Sequence, residues 1–138
     1  MRGRNQPHII TAILGGFMLL TAGSTLIGSA RAQGQVNGKA LFDKRCGGCH
    51  ALDRDKEGPR LGGVYGRTSG AVEAFQYSEA LKKARIVWKE ETLDRWLTDT
   101  EKLVPNNDMT FHVERADERS EIIAYLKRNS GKWRRHRG

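Results

Sequence analysis

The pentapeptide Cys46-Gly47-Gly48-Cys49-His50 places two thiols and an imidazole next to one another in the chain. The spacing of apolar residues before it predicts a short helix from Val36 to about Arg45. The stretch from Ala51 to Gly70 that follows it is rich in glycine, proline and charge, and is typical of a loop. The sequence has only these two cysteines, which excludes a disulfide-dense scaffold.

Cys-x-x-Cys-His is the attachment signal for a c-type haem. Two thiols add across the porphyrin vinyl groups to form thioethers, and the two glycines between them let both sulfurs reach one edge of the ring. His50 then lies under the iron as an axial ligand. Two alternatives remain open. A thioredoxin-like redox pair needs a βαβ context, which this sequence lacks, and a zinc site would need His112 to complete a Cys2His2 set with Cys46, Cys49 and His50.

Met109 is the predicted second axial ligand. Met1 and Met18 lie near the amino terminus, so Met109 is the only methionine in the rest of the chain. It stands in the polar stretch VPNNDMTF, residues 104–111, and not on an apolar helical stripe where a methionine would fill a core. Methionine–histidine ligation raises a haem reduction potential. His112 is the alternative ligand and would give a lower potential.

Residues 1–32 have the layout of a secretory signal peptide. Arg2 and Arg4 precede an uncharged run from Ile9 to Gly28, and the small-x-small site Ala30-Arg31-Ala32 follows it. We expect cleavage after Ala32, which leaves residues 33–138 as one domain. The uncharged run is also long enough to span a bilayer, so an uncleaved membrane anchor is the alternative. Either way, we expect the domain to work outside the cytosol, in the periplasm.

The composition indicates one small domain with a thin core. The 138 residues are 38% hydrophobic, 7% aromatic and 29% charged, with a net charge of +8. Helical periodicity predicts one or two turns over Ser78–Ala84, a helix over Glu90–Asp99 and a last helix over Asp117–Asn129 that ends at Gly131. No segment alternates as a strand does. The long glycine-rich loops are expected to wrap a ligand, which would supplement the core.

From about Gly38 to Lys127, the chain resembles the class I c-type cytochromes, the small soluble monohaem proteins of mitochondria and bacteria. The resemblance implies an all-α fold of three to five short helices, with long loops wrapped around one covalently bound haem c. It also implies an electron carrier and not an enzyme, because two axial ligands leave no coordination position for a substrate. A peroxidase or ligand sensor, which needs an open position, is the alternative.

The resemblance assigns roles within the haem pocket. The Pro59 carbonyl would accept a hydrogen bond from His50, and Arg67, Tyr77 and Trp88 match residues that hydrogen-bond a buried haem propionate. The cofactor-binding set is therefore Cys46, Cys49, His50, Met109, Pro59, Arg67, Tyr77 and Trp88, with His50 and Met109 on the metal.

The resemblance extends to the packing of the helices, but at one position the charge in this sequence differs from that of the mitochondrial type. Gly38 and Phe42 resemble the glycine and aromatic residue through which the family's first helix contacts its last, where Tyr125 would be the partner. Asp108 stands where the mitochondrial type has a basic residue.

Redox-partner proteins are the expected partners, with a monomeric chain and no role for nucleic acid. Basic residues could steer acidic partners to the haem edge. The candidates are Lys39, Lys44, Arg45, Lys82, Lys83 and Lys102. The basic carboxyl-terminal tail, Gly131–Gly138, is expected to be flexible and to make peripheral contact with membrane phosphates.

Overall fold

The computed structural model of the protein describes residues 38–135, and the all-α prediction is confirmed there. The helices comprise residues 38–45 (α1), Glu79–Ala84 (α2), Glu90–Thr98 (α3), Thr100–Leu103 (α4) and Ala116–Arg135 (α5). The only β pairing within this range is an isolated antiparallel bridge between Thr68 and Val87. The predicted signal peptide and the expected helix start at Val36 lie outside the described residues. No helix among residues 38–135 has the length and apolar character to cross a membrane.

The first and last helices cross at a glycine. A Cβ on Gly38 would lie 2.5 Å from the carbonyl oxygen of Glu121, so only glycine permits this approach of α1 to α5. One turn further along α1, the Phe42 ring packs on Tyr125 with centroids 5.3 Å apart. The helix contact implied by the resemblance is therefore present.

The apolar stripe of α3 forms the wall between the core and the cavity described below. Leu93, Trp96 and Leu97 recur at i, i+3 and i+4, and all three are buried. This face packs against α5, whose own stripe includes the buried Ile122 and Leu126.

The helical segment that begins at Glu90 is broken at Asp99, where the backbone is extended with φ −165° and ψ 104°. The Asp99 side chain accepts a hydrogen bond from the Lys102 amide at 2.9 Å. It thereby caps the short helix α4, which sequence periodicity did not predict.

The predicted end of the last helix is wrong. Helix α5 begins at Ala116, one residue before Asp117, and continues through Gly131 to Arg135. Gly131 is not among the residues with positive φ, which a glycine that terminates a helix commonly adopts. The continuation places Trp133 against the Gly62–Gly63 turn. The expectation of a flexible tail from Gly131 is therefore wrong for residues 131–135.

Candidate functional site

A cavity of about 500 Å³ opens between the pentapeptide, the loops and helices α3 and α5. Its volume lies in the range of small-molecule and cofactor sites. Most of its lining is apolar, from leucine, tryptophan and phenylalanine side chains. All eight sequence-predicted site residues border it: Cys46, Cys49, His50, Pro59, Arg67, Tyr77, Trp88 and Met109.

The two cysteines lie on a tight turn that directly follows α1. The amide of Cys49 donates to the carbonyl of Cys46 at 3.1 Å, and the Lys56 ammonium donates to the carbonyls of Gly47 and Gly48 at 2.5 and 2.6 Å. Neither cysteine is in a disulfide. Burial raises the pKa of the Cys46 thiol to about 11. Redox-active Cys-x-x-Cys pairs depend on a lowered thiol pKa, so this environment does not favour a thioredoxin-like pair.

His50 is 8% exposed and is held by the loop that follows it. Its Nδ1 lies 2.7 Å from the carbonyl oxygen of Pro59, which can only accept, so Nδ1 carries the proton and Nε2 keeps its lone pair. A Cβ on Gly58 would lie 2.2 Å from Cε1 of the ring. Burial lowers the pKa of the imidazole, which favours the neutral form that a metal ligand requires.

Met109 and His112 differ in where their side chains lie. Met109 borders the cavity and is half-buried. The His112 side chain is 66% exposed, with Nε2 3.9 Å from a carboxylate oxygen of Glu114, and it does not border the cavity. The geometry therefore brings Met109, and not His112, into the same cavity as His50.

Two residues outside the predicted cofactor-binding set hold the Met109 segment. Thr100, 2% exposed, donates its hydroxyl to the Met109 carbonyl at 2.5 Å. Asn107 accepts a hydrogen bond from the Met109 amide at 2.8 Å and donates to the Val104 carbonyl at 2.9 Å. The Asn-Asn pair was the only sequence signal, since asparagine favours turns, and Asn106 has φ 62°. Nothing in the sequence marked Thr100.

Three polar side chains of the predicted site border the cavity away from the pentapeptide. Arg67 donates to the carbonyls of Gly62 at 3.1 Å and Arg60 at 2.9 Å, which fixes its guanidinium. Burial raises the pKa of the Tyr77 hydroxyl, so this group remains a donor. Trp88 is 7% exposed and also borders the cavity. These are donors suited to a carboxylate inside the cavity.

The cavity fits a covalently attached haem better than a zinc ion. Among the residues that the structure describes, no three histidine, cysteine, aspartate or glutamate side chains converge as metal ligands would. The proposed fourth zinc ligand, His112, is exposed and does not border the cavity. By contrast, the paired thiols, the oriented imidazole, the apolar walls and the donors Arg67, Tyr77 and Trp88 all match the requirements of a porphyrin with propionate groups.

Comparisons with known proteins agree with this fit. The sequence profile of the Cytochrome c family matches residues 35–130. Cytochrome c of Euglena viridis is 45% identical over 93 residues, which are 65% of this chain and 91% of that protein. Cytochrome c of Chlamydomonas reinhardtii is 40% identical over 96 residues, 67% of this chain and 86% of that protein.

A solved structure shows the same architecture. Cytochrome cH from Methylobacterium extorquens superposes with a TM-score of 0.65 at 33% identity, covering 68% of this chain and 97% of that one. With the thiols, the imidazole and the apolar cavity in place, the chain belongs to the cytochrome c family, whose members are electron-transfer proteins with one covalently bound haem c.

Proposed function

We propose that this protein is a periplasmic electron carrier whose haem iron is held by His50 and Met109, and that it is not an enzyme. The observation that carries the proposal is that these two side chains border one cavity while His112 lies in solvent. Two protein ligands leave no coordination position for a substrate, which supports outer-sphere electron transfer.

The chain's own residues supply binding, orientation and exclusion of water. When bound, the haem supplies a one-electron couple between ferrous and ferric iron. Cys46 and Cys49 attach it, and Pro59 holds the His50 ring in one tautomer and strengthens it as a ligand. The apolar walls and the Met109 thioether favour the ferrous state and so a raised reduction potential. Arg67, Tyr77 and Trp88 would bind a propionate.

The signal-like layout of residues 1–32 supports export to the periplasm, with residues 33–138 as the functional domain. The partners that we propose are redox proteins that reach the cavity opening, and the carrier itself acts as a monomer. The extended α5 carries the exposed Lys132 beyond the family-matched range, which supports peripheral contact with anionic lipid. The proposed export is the ground for proposing no role in nucleic-acid binding.

The test is optical spectroscopy of protein produced in a host that exports it and attaches haem. We expect a red protein whose ferric form shows the far-red band of sulfur–iron ligation. Met109→Ala removes that band and opens the ferrous iron to carbon monoxide, whereas His112→Ala changes neither property.

Each alternative has its own outcome in the same experiment. A wild-type protein that binds carbon monoxide rapidly and lacks the far-red band would support a peroxidase or ligand sensor. A colourless protein with two titratable thiols would support a zinc or thiol-redox module.

A further inference from the structure

Helix α5 continues beyond the part of the chain that matches the family. The family profile ends at residue 130, but the helix runs to Arg135 and carries Trp133 on its added turn. The indole packs on the turn formed by Gly62 and Gly63. A Cβ on Gly62 would lie 2.8 Å from Cε3 of Trp133, and one on Gly63 would lie 2.7 Å from Cδ1. The two glycines therefore provide the space that the indole occupies.

This turn is part of the loop that holds His50. The amides of Leu61 and Gly62 donate to the carbonyls of Ala51 and Leu52, each at 2.8 Å, so the turn is paired with the two residues that follow His50. Earlier in the same loop, Gly58 donates to the Cys49 carbonyl at 2.8 Å. Pro59 lies between these two sets of hydrogen bonds, and its carbonyl accepts a hydrogen bond from His50 Nδ1–H.

A second contact joins the same loop to α5 one turn before Trp133. The Tyr65 amide donates to the hydroxyl of Ser130, which is fully buried, at 3.0 Å. Trp133 and Ser130 therefore hold the loop from its outer side, while the His50 imidazole contacts it from the cavity side.

We propose that Trp133 is a positioning residue for His50: the added turn of α5 clamps the loop that fixes the orientation of the axial imidazole. This inference rests on the proposed role of His50 as an iron ligand. Without the indole, the Gly62–Gly63 turn loses its outer support, and the loop opens more often without unfolding of the whole chain. The Pro59–His50 hydrogen bond is then broken for a larger fraction of the time.

The test is hydrogen exchange in the ferrous, haem-loaded protein, followed by NMR. Trp133→Ala should speed exchange of the His50 Nδ1 proton and of the Leu61 and Gly62 amides by about tenfold or more. Trp133→Phe, which keeps an aromatic ring, should restore the rates to within about twofold of wild type. A chain truncated after Ser130 keeps the family-matched residues and should behave as Trp133→Ala does.

Two controls separate positioning from general stability. Ile123→Ala removes a buried core side chain that does not border the cavity, and it should lower the unfolding temperature without selective exchange at His50. Lys132→Ala alters the same added turn at an exposed position and should leave the exchange rates unchanged.

Unchanged His50 Nδ1 exchange in both Trp133→Ala and the truncated chain would overturn the proposal. The proposal would also be overturned if Ile123→Ala accelerated this exchange as much as Trp133→Ala does at an equal loss of stability. A red protein with a normal far-red band that gave either result would leave the proposed function intact. A colourless wild-type protein would instead remove the proposed function.

Discussion

His50 is held by backbone groups of the loop that follows it. Because this loop approaches the imidazole closely, the sequence must have a glycine at the point of approach. The Pro59 carbonyl contact and the approach of Gly58 to the ring both follow from the path of residues 56–59. The pentapeptide and the Gly58-Pro59 pair could be recognised from sequence because each of these residue types has a distinct chemical role at its position. The approach of Gly58 to the imidazole could not, since it depends on the three-dimensional path of the loop.

Two glycines in this region should respond differently to the same substitution. Gly58→Ala would place a methyl group 2.2 Å from His50 Cε1, so the ring or the loop must move. We expect a large loss of thermal stability and a low yield of haem-loaded protein. Gly48→Ala is the matched control, because a Cβ there meets nothing within 4 Å. Melting curves and haem-to-protein ratios check both, and equal effects would contradict this view of the site.

Helix α4 lies between helix α3 and the segment that carries Met109. Its first residue, Thr100, is buried, and its hydroxyl bonds the Met109 carbonyl and also accepts from the Phe111 amide at 3.4 Å. The helix and its cap at Asp99 escaped prediction because a single helical turn has no measurable periodicity.

Thr100→Val keeps the shape of the side chain but removes its hydroxyl. It should lower the free energy of unfolding by about 1–3 kcal/mol, because buried polar groups of the backbone lose their partner. The far-red sulfur–iron band should disappear at a lower temperature than in wild type. Thr98→Val, at an exposed position whose hydroxyl bonds only its own helix, is the control. A sulfur–iron band that persists to the same temperature as in wild type would show that the Thr100 hydroxyl does not hold the Met109 segment.

Helix α5 shows why sequence signals of helix termination can fail. A glycine shortly after basic residues, as Gly131 follows Lys127 and Arg128, is a good stop signal when the helix end is in solvent. Here the helix continues through Gly131, and the contact of Trp133 with Gly62 and Gly63, far away in sequence, favours the longer helix. Local propensity was outweighed by a tertiary contact that no local pattern reveals.

At the scale of the whole molecule, the cofactor and the fold should depend on each other. Core residues of α3 and α5 border the cavity, so a haem bound there would add apolar contacts that the thin protein core lacks. We expect a haem-free chain with Cys46→Ser and Cys49→Ser to be largely unfolded by circular dichroism. A native-like helical spectrum from that chain would show that the protein core is sufficient by itself.

The exposed charges that border the cavity are mixed in sign. Of the six cations considered for docking, only Arg45 borders the cavity, and its guanidinium lies 2.8 Å from Glu118. The other exposed charges on the cavity lining are the carboxylates of Glu57 and Asp108. The net charge of the chain is thus a poor guide to the field at the site where electrons would pass.

Small charged oxidants can measure that local field. At low ionic strength, Asp108→Lys should speed oxidation of the ferrous protein by ferricyanide, an anion, by about threefold or more. It should slow oxidation by a tricationic cobalt complex by a similar factor. Glu91→Lys makes the same change of charge at an exposed position away from the cavity and should have a smaller effect. Equal effects of Asp108→Lys and Glu91→Lys on the oxidation rates would mean that the net charge alone, and not the local field at the cavity, governs the encounter with the oxidant.

The central claim, an iron held by His50 and Met109, is tested most directly by proton NMR of the ferrous protein. Met109 is the only methionine beyond the expected signal peptide. A methyl group seated over a porphyrin face is strongly shielded by the ring current. We predict one methionine methyl resonance shifted far upfield of its usual position, which Met109→Ala removes and His112→Ala leaves in place. An unshifted Met109 methyl in a red, folded protein would contradict the account.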